Sequence, residues 1–439
     1  MRKNSKKVLS IVIAAMTCLA AIGCGNKSTA TPATDSKSQE TATPETKVPT
    51  EEVTLNFWHN YSAESAENET LTNVLIPKFE EENPGIKINP VSYDWANLHD
   101  KILISAQSNT LPDVARLDIA WIPEFEKSDI LVPLNTEMSD FAEVSAKLLK
   151  SAMTTANVGD NTYGLALNTN TKILYVNSKA LADAGLTIPK TMDEFIAGIK
   201  KLSGKNAEGQ QVWGYEEPAL AGWNLCPFIW SMGGTLTDES QTKASGYINS
   251  EATIKAVQAF KDLYDEGGVT GWNSGDIPMT DGFGTGRYAM ILEGPWKVAE
   301  LAGAYPDFKY ETAEMPTGAG GSVSVLGGED ICMFKSANKE AAWKFMQFMT
   351  GEYAQEEMAK CGQIPVNLKA MESDTAKKAD FAPYLEAIDT AKARPTVSCW
   401  SEMDNDLSVA LSAIMSDEKS VKDALDELAT KWDALLAKE

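Results

Sequence analysis

Tryptophan, carboxylate and amide side chains are what this chain has to work with. It carries 11 tryptophans and 62 acidic residues but only two histidines, His59 and His99. Two histidines leave little for an imidazole metal site or a Ser-His-Asp triad. Cys226, Cys332, Cys361 and Cys399 have spacings that fit no zinc pattern, and the sequence cannot choose among their possible pairings. The glycine-rich GFGTGR at 282–287 leads into a strand instead of following one, so it is no phosphate cradle. Tryptophans and carboxylates together can hold a sugar. A sugar has apolar C–H faces, which flat aromatics cover, and a rim of hydroxyls, which need polar partners once they lose water. Several tryptophans fall in loops after strands, the ligand side of an open α/β sheet. Asp118 and Glu329 could also be cast as the acid pair of a glycoside hydrolase, but no local catalytic motif surrounds them.

The elements that must position these residues alternate. VTLNFW (53–58) reads as a strand and 64–82 as a helix ending at Asn83-Pro84-Gly85. IKINPVSY and PDVARLD read as further strands, with the helix NLHDKILISAQS between them. TMDEFIAGIKKL starts at an N-cap, Thr191, with Glu194 completing a capping box. NLCPFIWSMGGTL is an apolar helix stopped by glycines, RYAMILEGPW a buried strand, and SVSVLGG and DICMF two short strands. No repeat of 20 to 50 residues recurs, so the pattern predicts an α/β architecture.

The N-terminus reads differently. MRKNSKK is followed by fifteen largely apolar residues, VLSIVIAAMTCLAAI, and then Gly23-Cys24. A basic stretch followed by a short apolar one is a secretory signal. It resembles a bacterial lipoprotein signal, in which the cysteine is diacylated and becomes the mature terminus, although Ala21 stands where such signals usually carry leucine. Residues 25–52 contain one large apolar residue, Val48, and cannot bury enough surface to order. They predict a flexible tether spanning about 30 Å. Loss of the signal takes the net charge from −23 to −27, which argues against a nucleic-acid partner.

The order of the pieces resembles the family 1 extracellular solute-binding proteins, the maltose- and oligosaccharide-binding components of ABC importers. The resemblance rests on FEEENPGIKI, NTLPDVARLD, YGLALNTNTKILYVNSKALADAGLTIPKTMDEF, GRYAMILEGPW, GGEDICMFKSANKEAAWKF and CGQIPVN, in that order. It implies a two-lobed α/β fold of the periplasmic-binding-protein type (type II). Its ligand cleft lies between lobes joined by three hinge crossings, near 168–170, 326–329 and 394–396. The division would be signal 1–23, lipidated Cys24 with tether 24–52, lobe one 53–167 and 327–393, and lobe two 168–326 and 394–439. The implied protein is a monomer without cofactor or metal. It is lipid-anchored on the outer face of the cytoplasmic membrane, binds a carbohydrate and passes it to a membrane permease. Polyamine, metal-ion or peptide ligands would suit the same fold.

Matched segment by segment, the resemblance implies ligand contacts from Asn60, Tyr61 and Ser62 after the first strand, and from Asp118 and Trp121 after the third. Asn168 and Asn170 fall at the first crossing. Trp223 sits in polar PALAGWN, and Trp296 ends the buried strand through Gly294-Pro295. Gly328, Glu329 and Asp330 fall at the second crossing, Arg394 and Trp400 at the third.

Overall fold

The computed structural model describes residues 52–377 and 381–439, so the signal peptide, Cys24 and nearly all of the tether lie outside the described residues. Two large sheets are built from β1 (Val53–His59), β2 (Ile86–Ser92), β3 (Val114–Asp118), β4 (Gly164–Thr171), β5 (Ile173–Asn177), β6 (Tyr215–Glu216), β7 (Val269–Thr270), β8 (Met290–Glu293), β9 (Tyr310–Ala313), β10 (Val325–Met333) and β11 (Lys392–Ala393). The first sheet runs β11-β10-β3-β1-β2, with β4 also paired to β10. The second runs β7-β6-β8-β5-β9. In the first, β1 is parallel to β2 and β3, while β10 is antiparallel to β3 and β4.

Both sheets are covered on both faces, and the period of two along each strand divides the side chains between the layers. In β5, Ile173 and Tyr175 join one apolar cluster and Leu174 and Val176 the opposite one. In β10, Ile331 and Met333 face one cluster and Cys332 the other. The helices carry the start signals that the sequence contains. Met192–Leu202 begins at Thr191, whose hydroxyl accepts from the Glu194 N–H while the Glu194 carboxylate accepts from the Thr191 N–H. All four cysteines among the described residues are free thiols. No described helix is long and apolar enough to cross a membrane.

The sequence predicts two strands broken at Gly327-Gly328. The structure has one, running straight through the pair. The glycines serve close approach instead of termination. A Cβ on Gly327 would lie 2.1 Å from Asn170 Oδ1 and 2.6 Å from the Trp223 ring. Gly328 has φ +144°, and a Cβ there would meet the Asn168 carbonyl at 2.6 Å. The backbone is bare where a tryptophan and a neighbouring strand press on it.

A register shift between Glu329 and Asp330 follows directly. Glu329 turns toward the gap between the sheets. Asp330, expected to contact ligand, turns into the first sheet's interior, is fully buried, and lies 3.1 Å and 3.2 Å from the Thr155 hydroxyl through its two oxygens. Burial pushes its carboxyl up to about 8. The lobe boundary is also displaced from the expected one. Phe381, Tyr384 and Ala387, assigned by sequence to the lobe of the first sheet, pack with Ile173, Tyr175 and Phe283 against the second. The Tyr175 and Tyr384 hydroxyls both donate to the Gly294 carbonyl, at 3.1 Å and 3.2 Å. The helix Ala382–Ile388 also touches β4 of the first sheet, and β11 then pairs with β10.

Two outcomes are expected from this arrangement. Gly327→Ala overpacks the contact with Trp223 and should lower stability by about 1–3 kcal/mol, with a changed tryptophan emission spectrum; an unaltered melt and spectrum would show that the glycine is dispensable. Asp330 keeps its proton in the folded chain to about pH 8, whereas unfolded aspartate releases it near about pH 4. The folded state thus binds more protons between those values, and its stability falls as pH rises through that window. Asp330→Asn removes this slope. Its melting temperature should exceed that of the parent at pH 9, by about 2–4 °C for each kcal/mol regained, and the gap should close toward pH 4. Parallel curves would be the contrary result.

Candidate functional site

The C-terminal ends of β1 and β3, the middle of β10 and the first turns of the helices Gly222–Ser231 and Trp296–Ala304 enclose a cavity of about 400 Å³. Its floor is a set of buried charges on adjacent strands. Arg116 of β3 places Nη2 2.7 Å from a Glu329 carboxylate oxygen and Nη1 on the Asn60 side-chain carbonyl. Asn168 donates to the same Glu329 oxygen at 2.6 Å. Asp118, which pairs with Glu329 across β3 and β10, accepts from Arg394 at 2.7 Å and from the Trp95 indole N–H at 2.9 Å. Its Oδ1 also accepts from the Ala120 N–H at 2.8 Å, fixing the start of the next turn. Burial raises the Glu329 carboxyl and the Arg116 guanidinium opposes it.

The second-sheet wall is aromatic and amide. Trp223 stands with the Arg394 guanidinium 5.3 Å and the Lys172 ammonium 5.6 Å from its ring centre. Lys172 is fully buried and 3.8 Å from Glu217. Glu217 accepts from the Asn224 amide at 2.5 Å and the Tyr215 hydroxyl at 2.9 Å, and burial pushes its carboxyl up to about 7. Asn224 and Trp223 both line the cavity, so this buried group holds the wall from behind.

Of the residues read from sequence, the structure gathers Asn60, Tyr61, Ser62, Asp118, Asn170, Trp223, Trp296, Gly328, Glu329 and Arg394 around the cavity. Tyr61 is 2% exposed and lies beneath Arg116, whose guanidinium carbon is 4.3 Å from the ring centre. Four expected contacts are elsewhere. Trp121 is buried against Phe125 and supports Trp95 at 4.8 Å between ring centres. Asn168 sits under Glu329. Asp330 faces the interior. Trp400 is 2% exposed in the second-sheet core beside Trp432.

Sequence reasoning missed Trp95, Arg116, Glu67, Asn224 and Asp404, all in the lining. Trp95 had a usable signal: it opens the helix Trp95–Ser108 just after β2 and is 42% exposed. Arg116 had another, a cation in the middle of the buried strand VARLD. Glu67 and Asp404 had none, being acidic residues on solvated helices like dozens of others.

The family model described as bacterial extracellular solute-binding protein matches residues 75–383. A protein of Brucella abortus (strain 2308), named only as a binding protein, is 27% identical over 376 residues, covering 82% of this chain and 88% of its own. A maltooligosaccharide ABC transporter solute-binding lipoprotein of Streptococcus pneumoniae serotype 4 is 24% identical, covering 98% and 96%. Among solved structures, the GacH receptor of Streptomyces glaucescens, determined unliganded and with acarbose, superposes with a TM-score of 0.77 at 22% identity over 88% of this chain and 99% of that one. Two sheets bridged by β4, β10 and β11 around a lined cleft are the two-lobed architecture of such proteins, and the chain belongs to the bacterial extracellular solute-binding protein family.

Proposed function

We propose that the protein captures a carbohydrate, an oligosaccharide of at least two units, in the cleft between its sheets and delivers it to the permease of an ABC importer. The observation that carries this reading is the lining itself. Three tryptophans, Trp95, Trp223 and Trp296, stand around one cavity whose remaining surface is largely amide, carboxylate and guanidinium. That combination matches a ligand with apolar faces and a hydroxyl rim. Similarity to the maltooligosaccharide-binding lipoprotein and to the acarbose-binding receptor supports it.

Asn60, Ser62 and Trp95 reach the ligand from the first-sheet side, and Trp223, Asn224, Trp296 and Asp404 from the second. A ligand touching both sides favours the closed arrangement by its differential affinity for it, and closure bends the chain where β4, β10 and β11 connect the lobes. The activity is binding without turnover. At the other end of the chain, Cys24 carries the lipid that keeps the protein at the outer face of the membrane, and residues 25–52 give the body its reach. Polyamine, peptide or metal-ion ligands remain the rival reading of the same cleft.

A thermal-shift screen of the protein against oligosaccharides, polyamines, peptides and metal ions separates these, because only a ligand of the native state raises the melting temperature. A saccharide response without hydrolysis is expected; a polyamine or metal response alone would sink the sugar, and glycan cleavage would make the protein an enzyme. Trp223→Ala and Trp296→Ala should each weaken saccharide affinity about tenfold or more. Trp400→Phe should lower the melting temperature with little change in affinity, and equal effects of all three on affinity would contradict the site. Cys24→Ser should move the protein from the membrane fraction to the medium; retention at the membrane would refute the anchor.

A further inference from the structure

The charges around the cavity are arranged unevenly, and the arrangement says what a saccharide in it can carry. Two cations reach the lining, Arg116 and Arg394. Each is already paired with a carboxylate, while the Nε of each is buried without a hydrogen-bond partner among the described residues. Arg116 is held by Glu329 and Asn60 and lies over Tyr61, with its side chain 5% exposed. Arg394 is held by Asp118 at 2.7 Å and lies against Trp223, with its side chain 2% exposed. Of the cations just outside the lining, Lys172 is fully buried behind Trp223 and Lys297 is held by Glu300.

The acids outnumber these cations. Beyond Asp118 and Glu329, the lining includes Glu67, Asp404 and Glu300. Glu300 is neutralised by Lys297 at 2.5 Å. Glu67 takes an amide hydrogen bond from Gln363, and Asp404 takes the Gly222 N–H at 2.6 Å through Oδ1. Neither has an ion-pair partner among the described residues, and burial raises the carboxyls of both. Glu67 stands on the first-sheet side and Asp404 on the helix Trp400–Met415 of the second, so the two face the cavity from opposite walls.

On the carbohydrate reading, on which this inference rests, we propose that the cleft selects by charge. It accepts saccharides that are neutral or carry an ammonium group and rejects those carrying a carboxylate or phosphate. Glu67 and Asp404 are its hydroxyl and ammonium acceptors, and Asp118 and Glu329 are the residues that keep both guanidiniums out of reach. Hydroxyl and ammonium donors make charge-assisted hydrogen bonds to carboxylates. An anionic group meets unpaired carboxylates on both walls, Glu67 and Asp404, and gains a full counter-charge only by breaking a buried ion pair and stranding the displaced acid.

The test is calorimetry at pH 7 with neutral trimers of glucose, mannose and xylose, the glucosamine trimer, and the C6-oxidised uronic acid counterparts of the glucose and mannose trimers. Neutral or glucosamine trimers should bind, and each uronic acid counterpart should bind at least about 100-fold more weakly than its parent, two powers of ten in affinity. A uronic acid trimer that matched or exceeded its parent would overturn the charge selection while leaving the carbohydrate reading in place. If no trimer of either kind bound, and a polyamine or peptide did, the carbohydrate reading would fall and this inference with it. Asp118→Asn frees Arg394 and should raise the affinity ratio of acid to parent about tenfold. Asp404→Asn, which leaves the ion pairs intact, should raise the same ratio by removing a repelling charge. The ratio is read from two ligands on one preparation, so partial unfolding cancels. An unchanged ratio in both variants would overturn the assignment.

Discussion

Two buried guanidiniums organise the region where the sheets meet. Arg116 and Arg394 are each almost wholly removed from water, and each is bound to a carboxylate at 2.7 Å. Such pairs gain little over an apolar replacement, but removing one partner leaves an unpaired buried charge and costs about 3–5 kcal/mol. The two pairs are not separate features. Glu329 and Asp118 are register partners across β10 and β3, and Asn168 of β4 is the register partner of Glu329 on its other side. Three strands are therefore locked side by side by one polar row, and the cavity floor is that row.

The same row explains why the connecting strand is built as it is. β10 has to carry Glu329 toward the cleft, bury Asp330 in the sheet, and pass beneath Trp223 without a side chain in between. The register shift does the first two, and Gly327-Gly328 does the third. Trp223 then sits where it senses both sides: it belongs to a second-sheet helix, rests on a first-sheet strand, and is flanked by Arg394, which holds Asp118. The ring thus rests on the strand through which the chain connects the two lobes.

Behind the visible lining, each wall has a supporting layer. Trp121 carries Trp95, and Lys172 and Glu217 carry Trp223 and Asn224. Buried polar groups of this kind are costly unless satisfied, and the Lys172 ammonium has no hydrogen-bond partner among the described residues, only the Glu217 carboxylate at 3.8 Å, so this layer behind the side chains that face the cavity is held at a cost. Lys172 is the clearest case. It is the residue between β4 and β5 where the chain passes from one sheet to the other, and its ammonium is turned inward to the wall it supports.

The sequence by itself determined the α/β alternation, the capped helix at Thr191, the loops that follow β1 and β3, and the tryptophans at Trp223 and Trp296. All of these are local: a period of two or 3.6, a cap, a turn, or an aromatic in a polar stretch acts on neighbouring residues. The resemblance in segment order added the two lobes and the three connections. Tertiary structure alone decided which of two adjacent groups faces the cavity. Glu329 and Asp330 are one position apart, and only the register with β4 turns one to the cleft and buries the other. Trp400 and Trp121 look like cleft residues in the sequence but each packs beneath one. Glu67 and Asp404 are unremarkable on their own helices and become a pair across the cavity only because the two lobes bring them together. Side-chain type is a property of the chain, whereas the direction a side chain faces depends on strand register and on what packs behind it, and both are set by residues far away in sequence.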